Sequence, residues 1–429
     1  MKKLRKYALD MLFNLRTLGV DKAEITIVAE SKDETNALGI EEYLLREFDS
    51  CSMDIKLFVD NKPAQLTINQ FSDEYMRNAA RFAVSLAECA QPADNTELTY
   101  HGQVGADTPA SVERDPVKLY SYFEDMMKTF HKDYPNMLMD GEAFWSERKT
   151  LYINTDGTEI SFTDHPSYCG WQVGARNETS VTDLVFTSNP IEDYSIPALD
   201  CGYSREMLDL CNKMLDPKRL SGDAFSGTLL FQPDSVGGYV FHLLERIADM
   251  KEGDGLPYPE CSPGVNVFTS ISDTKYEKGG EYPFNSKNVK VEWKLKDGKI
   301  QPNPLANMNS DEKYAYMLAR QKDLKTMPNE LTGMMSGDTA LDDIIKGIKR
   351  GLFIGYISGS NVHANGDFSG AAKNAFYIEN GEIKFPVIEC MVSGNVYDMF
   401  KHIRAVSKEY KVHRGAAFPY VAFDGISIK

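Results

Sequence analysis

The 429-residue sequence lacks the features that identify membrane and secreted proteins. No stretch approaches the ~20 consecutive apolar residues of a transmembrane helix, so we expect no membrane-spanning segment. The basic start is interrupted by Asp10, Asn14 and Arg16, and no small-residue cleavage site follows, which argues against a secretory signal. We therefore predict a cytoplasmic protein that does not act at a membrane.

Basic residues are too few to form a nucleic-acid-binding surface. The chain has 47 Lys and Arg against 63 Asp and Glu, a formal net charge of −16, and no local basic cluster offsets this excess. Proteins that bind nucleic acids neutralise phosphates with clustered Lys and Arg. We therefore expect no direct contact with DNA or RNA.

The motifs of disulfide scaffolds, zinc modules and common hydrolases are also missing. The seven cysteines are odd in number and widely scattered, and none has the CxxC or Cys/His spacing of a structural zinc site. This cysteine usage fits a reducing compartment such as the cytoplasm. No GxSxG or HExxH motif occurs in the chain.

The composition is that of an ordinary globular protein, with 42% hydrophobic and 26% charged residues. Apolar residues at helical spacing alternate with strand patterns that are separated by turn residues, and the length favours two domains. The polar segment 216–226 is the best boundary. We predict an α+β fold: an N-terminal helix-plus-mixed-sheet domain over residues 1–220 and a C-terminal β-rich domain with packed helices over residues 221–429.

The stretch from Asp338 to Lys429 carries the most informative pattern. Apolar spacing predicts a helix with Asp338 or Thr339 as its N-cap, and an apolar strand follows it. A loop of Gly, Ser, Asn and His then spans residues 358–366, and Asn380-Gly381 predicts a two-residue hairpin turn. Before this stretch, we predict another helix that begins at Ser310.

This stretch resembles the C-terminal domain of the TldD/PmbA family, the so-called modulators of DNA gyrase. The elements that carry the resemblance occur in the family's order: Gly337-Asp338-Thr339, Gly366-Asp367-Phe368-Ser369, Ile378-Glu379-Asn380-Gly381-Glu382-Ile383, Pro386-Val387, Ser393-Gly394-Asn395 and Phe423-Asp424-Gly425-Ile426-Ser427. The resemblance implies a cytosolic metallopeptidase system that degrades or processes unfolded or small peptides. In such systems a metal-bearing TldD-type chain pairs with a PmbA/TldE-type chain.

One helix separates the two branches of this family. In the metal-bearing branch it presents an HExxxH motif, whose two histidines bind zinc and whose glutamate activates water, and a distant cysteine adds a ligand. The matching positions here are His242, Leu243 and Ile247, and residues 413–419 contain no cysteine. Because one imidazole cannot hold a catalytic zinc ion, the resemblance implies the PmbA/TldE-like branch.

We therefore expect a non-catalytic subunit that has no catalytic residues, metal ligands or cofactor of its own. The expected partner is a TldD-type chain that carries the zinc, or a second copy of this chain. Two alternatives stay open. One is a stand-alone hydrolase with a rebuilt site that uses His242 or His363, and the other is a homodimeric peptide-binding or scaffold protein.

The glycine-rich loop supplies the candidate residues of a substrate cleft. These are His363, Gly366, Asp367, Phe368 and Ser369. The Gly-flanked tetrad could offer backbone N–H groups to an anion, but glycines in this pattern more often form a tight turn. We predict that this turn lines the cleft in which a peptide binds.

Overall fold

The computed structural model describes residues 1–39, 42–93, 96, 98, 107–249, 260–272, 290–302, 308, 312, 316, 329–413 and 415–429. Within these residues, no helix is long and apolar enough to cross a membrane. The strands form two sheets, and the predicted boundary at residue 220 falls between the last strand of the first and the first strand of the second. The division into two domains at this point stays a prediction.

The first sheet is antiparallel in all of its described pairings. Its strands are β1 (Lys22–Leu38), β2 (Glu42–Val59), β3 (Lys62–Ile68), β4 (Met137–Asn154), β5 (Glu159–Asp164), β6 (Ser167–Ala175) and β7 (Val185–Pro190). Their order is β3-β2-β1-β4-β6-β7, with β5 on β4, so β7 is an edge strand. The helices of this part are α1 (Lys2–Thr17), α2 (Asp73–Cys89), α3 (Pro116–Asp133) and α4 (Ser204–Lys213).

Two apolar clusters hold the helices against this sheet. Helices α1 and α2 bury their apolar faces on β1 and β2, where Met11, Ile25 and Ile55 are fully buried. Helices α3 and α4 form a second cluster with β4 and β6, which contains Phe123 and Leu208. In each helix, apolar residues at intervals of three and four positions form the face that packs on the sheet.

The β1–β2 hairpin is paired from Lys22 to Leu38, although its outer half contains charged residues. Asp33 and Glu34 are 1% and 3% exposed, respectively. Arg114 donates two hydrogen bonds to Asp33, of 2.7 and 2.8 Å. Lys32 and Arg46 contact Glu34. These basic partners satisfy the buried carboxylates and allow a polar segment to extend the sheet.

The second sheet is mixed and larger, with thirteen described strands. They are β8 (Phe225–Phe231), β9 (Val267–Ser272), β10 (Lys290–Lys296), β11 (Lys299–Ile300), β12 (Asn329–Met334), β13 (Arg350–Ile354), β14 (Tyr356–Ser358), β15 (Asp367–Lys373), β16 (Phe376–Glu379), β17 (Glu382–Pro386), β18 (Met391–Asn395), β19 (Ile403–His413) and β20 (Ala416–Ile428). Strands β8 and β13 are parallel, as are β12 and β20. Helices α5 (Pro233–Asp249), α6 (Leu341–Gly347) and α7 (Val396–Lys401) accompany this sheet.

The predicted α+β fold is confirmed, and the mixed pairing lies in the second sheet rather than the first. The Asn380-Gly381 turn joins β16 to β17 as predicted, with positive φ at both residues. The predicted N-cap of α6 is wrong: Ala340 occupies that position, and the Leu341 N–H donates to a Glu409 carboxylate oxygen at 2.8 Å. A distant side chain thus replaces the local cap. The helix predicted to begin at Ser310 lies outside the described residues.

Candidate functional site

Helix α5 carries the positions at which the sequence resemblance locates the metal motif. Val236, Val240 and Leu243 are fully buried in the core of the second sheet, and Ile247 packs against the same cluster. Their spacing of four, three and four residues follows one face of an α-helix. Leu243 and Ile247, which stand where the family has its glutamate and second histidine, therefore complete the core-facing stripe of α5.

His242 is adjacent to this stripe and only partly buried. Its Nε2 atom is buried and has no hydrogen-bond partner among the described residues. Its ring lies 6.3 Å from the ring of Tyr397 on α7, measured between centroids. Burial lowers the pKa of His242, and the nearby Glu245 carboxylate opposes this effect. The imidazole is therefore held toward its neutral form.

These residues do not form a set of ligands that fits zinc. Of the three motif positions, only His242 has a side chain that can coordinate a metal. In the part of the chain that the structure describes, no group of three His, Cys, Asp or Glu side chains is placed to hold a metal ion. In the segment expected to supply the cysteine, Phe418 instead packs within 2.9 Å of the position that a Cβ on Gly237 would occupy.

Of the five predicted cleft residues, His363 and Gly366 lie in a hydrogen-bonded turn, whereas Asp367, Phe368 and Ser369 are the first residues of β15. The backbone N–H of His363 donates to the Asp367 carbonyl at 2.9 Å, and that of Gly366 donates to the His363 carbonyl at 2.8 Å. His363, Asp367 and Ser369 are exposed, whereas Phe368 is 3% exposed and contacts Tyr239.

The turn is packed against α7. Gly366 has a φ of +90°, and a Cβ there would lie 2.5 Å from the Tyr397 ring. The Asn395 amide donates to the Asp367 carboxylate at 2.9 Å, and the Tyr397 hydroxyl donates to the Ala364 carbonyl at 3.1 Å. The side-chain contacts of Gly366 and Asp367 are thus structural, and the substrate-binding role of the five residues stays a prediction.

A groove made of three adjoining cavities runs between the first sheet and the start of α5. The cavities have volumes of about 700, 450 and 400 Å³. Phe186 on β7 lines all three, Thr187 and Ser188 line the first two, and Asp234 and Gly238 on α5 line the last two. Another cavity, of about 550 Å³, lies between α3 and residues 194–199, away from α5.

The 400 Å³ cavity is the part of the groove nearest to the predicted turn. Ser360 and Val362 of the glycine-rich loop line it, but none of the five predicted residues does. Its walls also include Tyr239, and burial raises the pKa of this phenol to about 12, with a smaller opposing effect of Ser360. The Tyr239 hydroxyl is therefore neutral near pH 7 and can donate a hydrogen bond.

The charges of the groove have both signs. Asp140 and Glu142 line the first cavity, whereas Lys411 lines the second together with Asp234. Burial opposes ionisation of Lys411, but the nearby Tyr420, Glu206 and Asp234 raise its pKa. The ammonium group also lies 3.1 Å from a Glu206 carboxylate oxygen. The middle of the groove therefore has a cation that is held in place.

Sequence reasoning missed Phe186, Gln232 and Asn374, which all line the groove. Phe186 follows the buried Val185 in β7 and is 59% exposed, so strand alternation could have identified it as an outward-facing aromatic residue. Gln232 and Asn374 lie 142 positions apart in the numbering, and no local pattern joins them. The pairing of β8 with β13, together with the hydrogen bond from the Gly355 N–H to the Asn374 carbonyl at 3.0 Å, brings their neighbourhoods together.

Comparison with known proteins relates the C-terminal part to metallopeptidases. The family model for the PmbA/TldA metallopeptidase C-terminal domain matches residues 320–429. A zinc metalloprotease TldD homolog of Saccharolobus solfataricus is 32% identical over 84 residues, which are 20% of this chain and 19% of that protein. Metalloprotease PmbA of Escherichia coli O157:H7 is 30% identical over 212 residues, 46% of this chain and 43% of that protein. The chain thus aligns with less than half the length of these relatives.

Solved structures share the fold along almost the whole chain. A proposed modulator of DNA gyrase from Bacteroides thetaiotaomicron has a TM-score of 0.71 and 13% identity, and the match covers 100% of this chain and 99% of that one. TldE from Thermococcus kodakarensis has a TM-score of 0.62 and 16% identity, with 97% and 99% coverage. At these identities, the likeness shows the fold alone.

Proposed function

Because this chain belongs to the PmbA/TldD family through its C-terminal domain, we propose that it is a non-catalytic, PmbA/TldE-like subunit of a metallopeptidase. In this proposal a TldD-type partner holds the zinc ion, and the complex degrades or processes unfolded or small peptides in the cytoplasm. The contribution of this chain is a surface that encloses the peptide.

The observation that carries the proposal is the orientation of α5. Leu243 is fully buried and lies on the same helix face as Val236, Val240 and Ile247. Two of the three motif positions are therefore occupied by side chains that stabilise the core and cannot bind zinc or accept a proton. With His242 as the one possible zinc ligand among the three positions, the chain would depend on its partner for the metal chemistry.

The groove supports a role in binding peptides. Its three cavities together exceed the space that one amino-acid residue needs, and they follow the edge strand β7 past Phe186 to α5. An elongated, partly apolar groove with a few polar groups suits an extended chain better than a compact metabolite.

Metal content tests the absence of a zinc site. The protein, purified without an affinity tag, is analysed by mass spectrometry before and after zinc is added. We expect less than about a tenth of an equivalent of zinc in either sample. About one equivalent that is lost in the His242→Ala variant would contradict the proposal, since it would require a rebuilt site.

Peptidase assays test the division of labour. The chain alone is expected to cleave neither unfolded protein nor short peptides, whereas a mixture with a TldD-type subunit from the same organism should cleave them. Light scattering should detect a stable complex, which requires an interface of at least ~1,000 Å². Cleavage by the partner-free, metal-free chain would refute the proposal, and a self-associated species without affinity for the TldD-type chain would favour the homodimeric scaffold.

A further inference from the structure

The 400 Å³ cavity at the start of α5 has mostly apolar walls. Phe186 comes from β7, Tyr239 from α5, and Tyr356, Ile357 and Val362 come from β14 and the loop that follows it. The volume is within the range of small-ligand pockets and can hold one large side chain with its adjoining backbone. Aromatic and branched walls favour an apolar side chain.

Asn374 gives this cavity an unpaired acceptor. The residue is 7% exposed, and its Nδ2 donates to the Leu184 carbonyl at 3.3 Å. That contact fixes the orientation of the amide, because Nδ2 rather than Oδ1 must face a carbonyl oxygen. Oδ1 is buried and has no hydrogen-bond partner among the described residues.

Gln232 gives the same cavity an unpaired donor. Its backbone is fully engaged: the N–H donates to the Ile354 carbonyl at 3.1 Å, and the carbonyl accepts from the Val236 N–H at 3.2 Å. Its side-chain Nε2 is buried and, within the part of the chain that is described, has no partner. The hydroxyl of Ser360, which also lines the cavity, is likewise buried without a partner among the described residues. Buried polar atoms without partners are uncommon in proteins, and three around one cavity, two of them amide atoms, point to a ligand that supplies hydrogen bonds.

The two groups together match an amide. An amide has one carbonyl oxygen for the Gln232 donor and one N–H for the Asn374 acceptor, and it carries no charge. Asp234 also lines the cavity, so a carboxylate in the same place would be repelled. We propose that this cavity binds a neutral amide group attached to a large apolar or aromatic side chain, as in a hydrophobic residue within a peptide.

This inference rests on the proposed function for one point only, that the natural ligand is a peptide. It adds a side-chain preference to a groove that would otherwise bind extended chains without regard to sequence. The test therefore uses the full chain alone, without a partner or metal, so that its result is independent of the peptidase assays.

The probe is 3-phenylpropanamide, which has one neutral amide, and its binding is measured by ligand-observed NMR titration. 3-Phenylpropanoic acid, which has a carboxylate in place of that amide, is the comparison ligand. We expect saturable binding of the amide and weaker binding of the acid. The Gln232→Met variant keeps the side-chain length but loses the donor, so its affinity for the amide should fall about threefold to tenfold, as for the loss of one hydrogen bond.

Gln172→Met is the matched control. Gln172 lines the neighbouring 700 Å³ cavity, where its amide donates to Asp140 at 3.2 Å, and it does not line this cavity. The control should bind the probe as the parent protein does. Because Gln232→Met removes an unsatisfied buried donor, its melting temperature should be unchanged or higher.

Three results would overturn the inference. They are no saturable binding at millimolar probe, equal affinity for the amide and the acid, or unchanged affinity in a folded Gln232→Met variant. A protein that binds the amide but fails to cooperate with a TldD-type subunit would contradict the proposed function and leave this site intact. A protein that cooperates with a TldD-type subunit but does not bind the amide would contradict this site alone.

Discussion

Introducing the family's metal motif into α5 tests whether the core position of Leu243 is incompatible with a zinc site. The Leu243→Glu substitution replaces a fully buried side chain with a carboxylate, and Ile247→His adds the second imidazole. Loss of a buried leucine costs about 2–5 kcal/mol. An ionised carboxylate in an apolar core costs several kcal/mol more, unless it becomes protonated.

The sum approaches the whole stability of a typical domain, which is about 5–15 kcal/mol. We therefore expect Leu243→Glu to unfold the second sheet or to reduce the urea midpoint of unfolding strongly, as followed by circular dichroism. The Leu243→Glu/Ile247→His variant should take up no zinc. Leu244→Glu is the matched control, because Leu244 is only partly buried at the edge of the same cluster and its substitution should cost much less.

One result would refute this reasoning. If the double variant unfolded at a urea concentration close to that of the parent protein and bound about one equivalent of zinc, the restored glutamate would have to face a polar site. Leu243 could not then lie on the core-facing stripe of α5.

Two other predictions concern α5 and the first hairpin. Gly237→Ala should destabilise the protein by about 1–3 kcal/mol, because the added Cβ would lie 2.9 Å from the buried Phe418 ring. Gly238→Ala, whose Cβ would have nothing within 4 Å, should be neutral or stabilising. Both are measured by urea denaturation, and equal losses of stability would contradict the packing of Gly237 against Phe418. Burial opposes ionisation of Glu34, but hydrogen bonds from Lys32 and Arg46 lower the pKa of this carboxyl group below its usual 4.5. The stability that this carboxylate contributes should therefore be complete above about pH 4.5 and be lost as the pH falls through the lower folded-state pKa. The difference in urea midpoint between the parent protein and the Glu34→Gln variant should shrink as the pH falls below about 4.5. A difference that stays constant with pH would refute a stabilising role of the ionised Glu34.

Local signals in the sequence predicted the local structure well. Asp115 caps α3 and Asn395 caps α7 through side-chain oxygens that accept backbone N–H bonds, the role that Asp and Asn favour at the start of a helix. The Asn380-Gly381 hairpin depends on residues adjacent in the chain and is likewise confirmed. In each case, the residues that determine the conformation lie within a few positions of each other.

Features that depend on distant residues were missed. The Leu341 N–H is satisfied by Glu409, and Asp33 in the outer hairpin is paired with Arg114, which is 81 positions away. Neither partner is recognisable from local periodicity. The groove has the same origin, because Phe186 and Asn374 come from different sheets.

The departure from the metal motif at Leu243 and Ile247, by contrast, was readable from the sequence. The spacing of Val236, Val240, Leu243 and Ile247 is visible there as one helical face. In the structure these four residues form a single apolar stripe, so Leu243 and Ile247 add apolar burial at positions where the resemblance places a glutamate and a histidine.

The groove-lining residues of α5 lie in its first turns, whereas its core-facing stripe continues to Ile247. Gly238 and Tyr239 at its start line the groove, whereas Leu243 and Ile247 in its later turns complete the core. Substitution of the exposed, groove-lining Gly238 should alter ligand binding with little effect on stability, whereas substitution of the buried Leu243 should do the opposite. A helix that retained its catalytic site would combine both effects at the same residues, because ligands for zinc must also face the bound peptide. Under the proposed function, this arrangement is compatible with a groove that is retained in the absence of a zinc site.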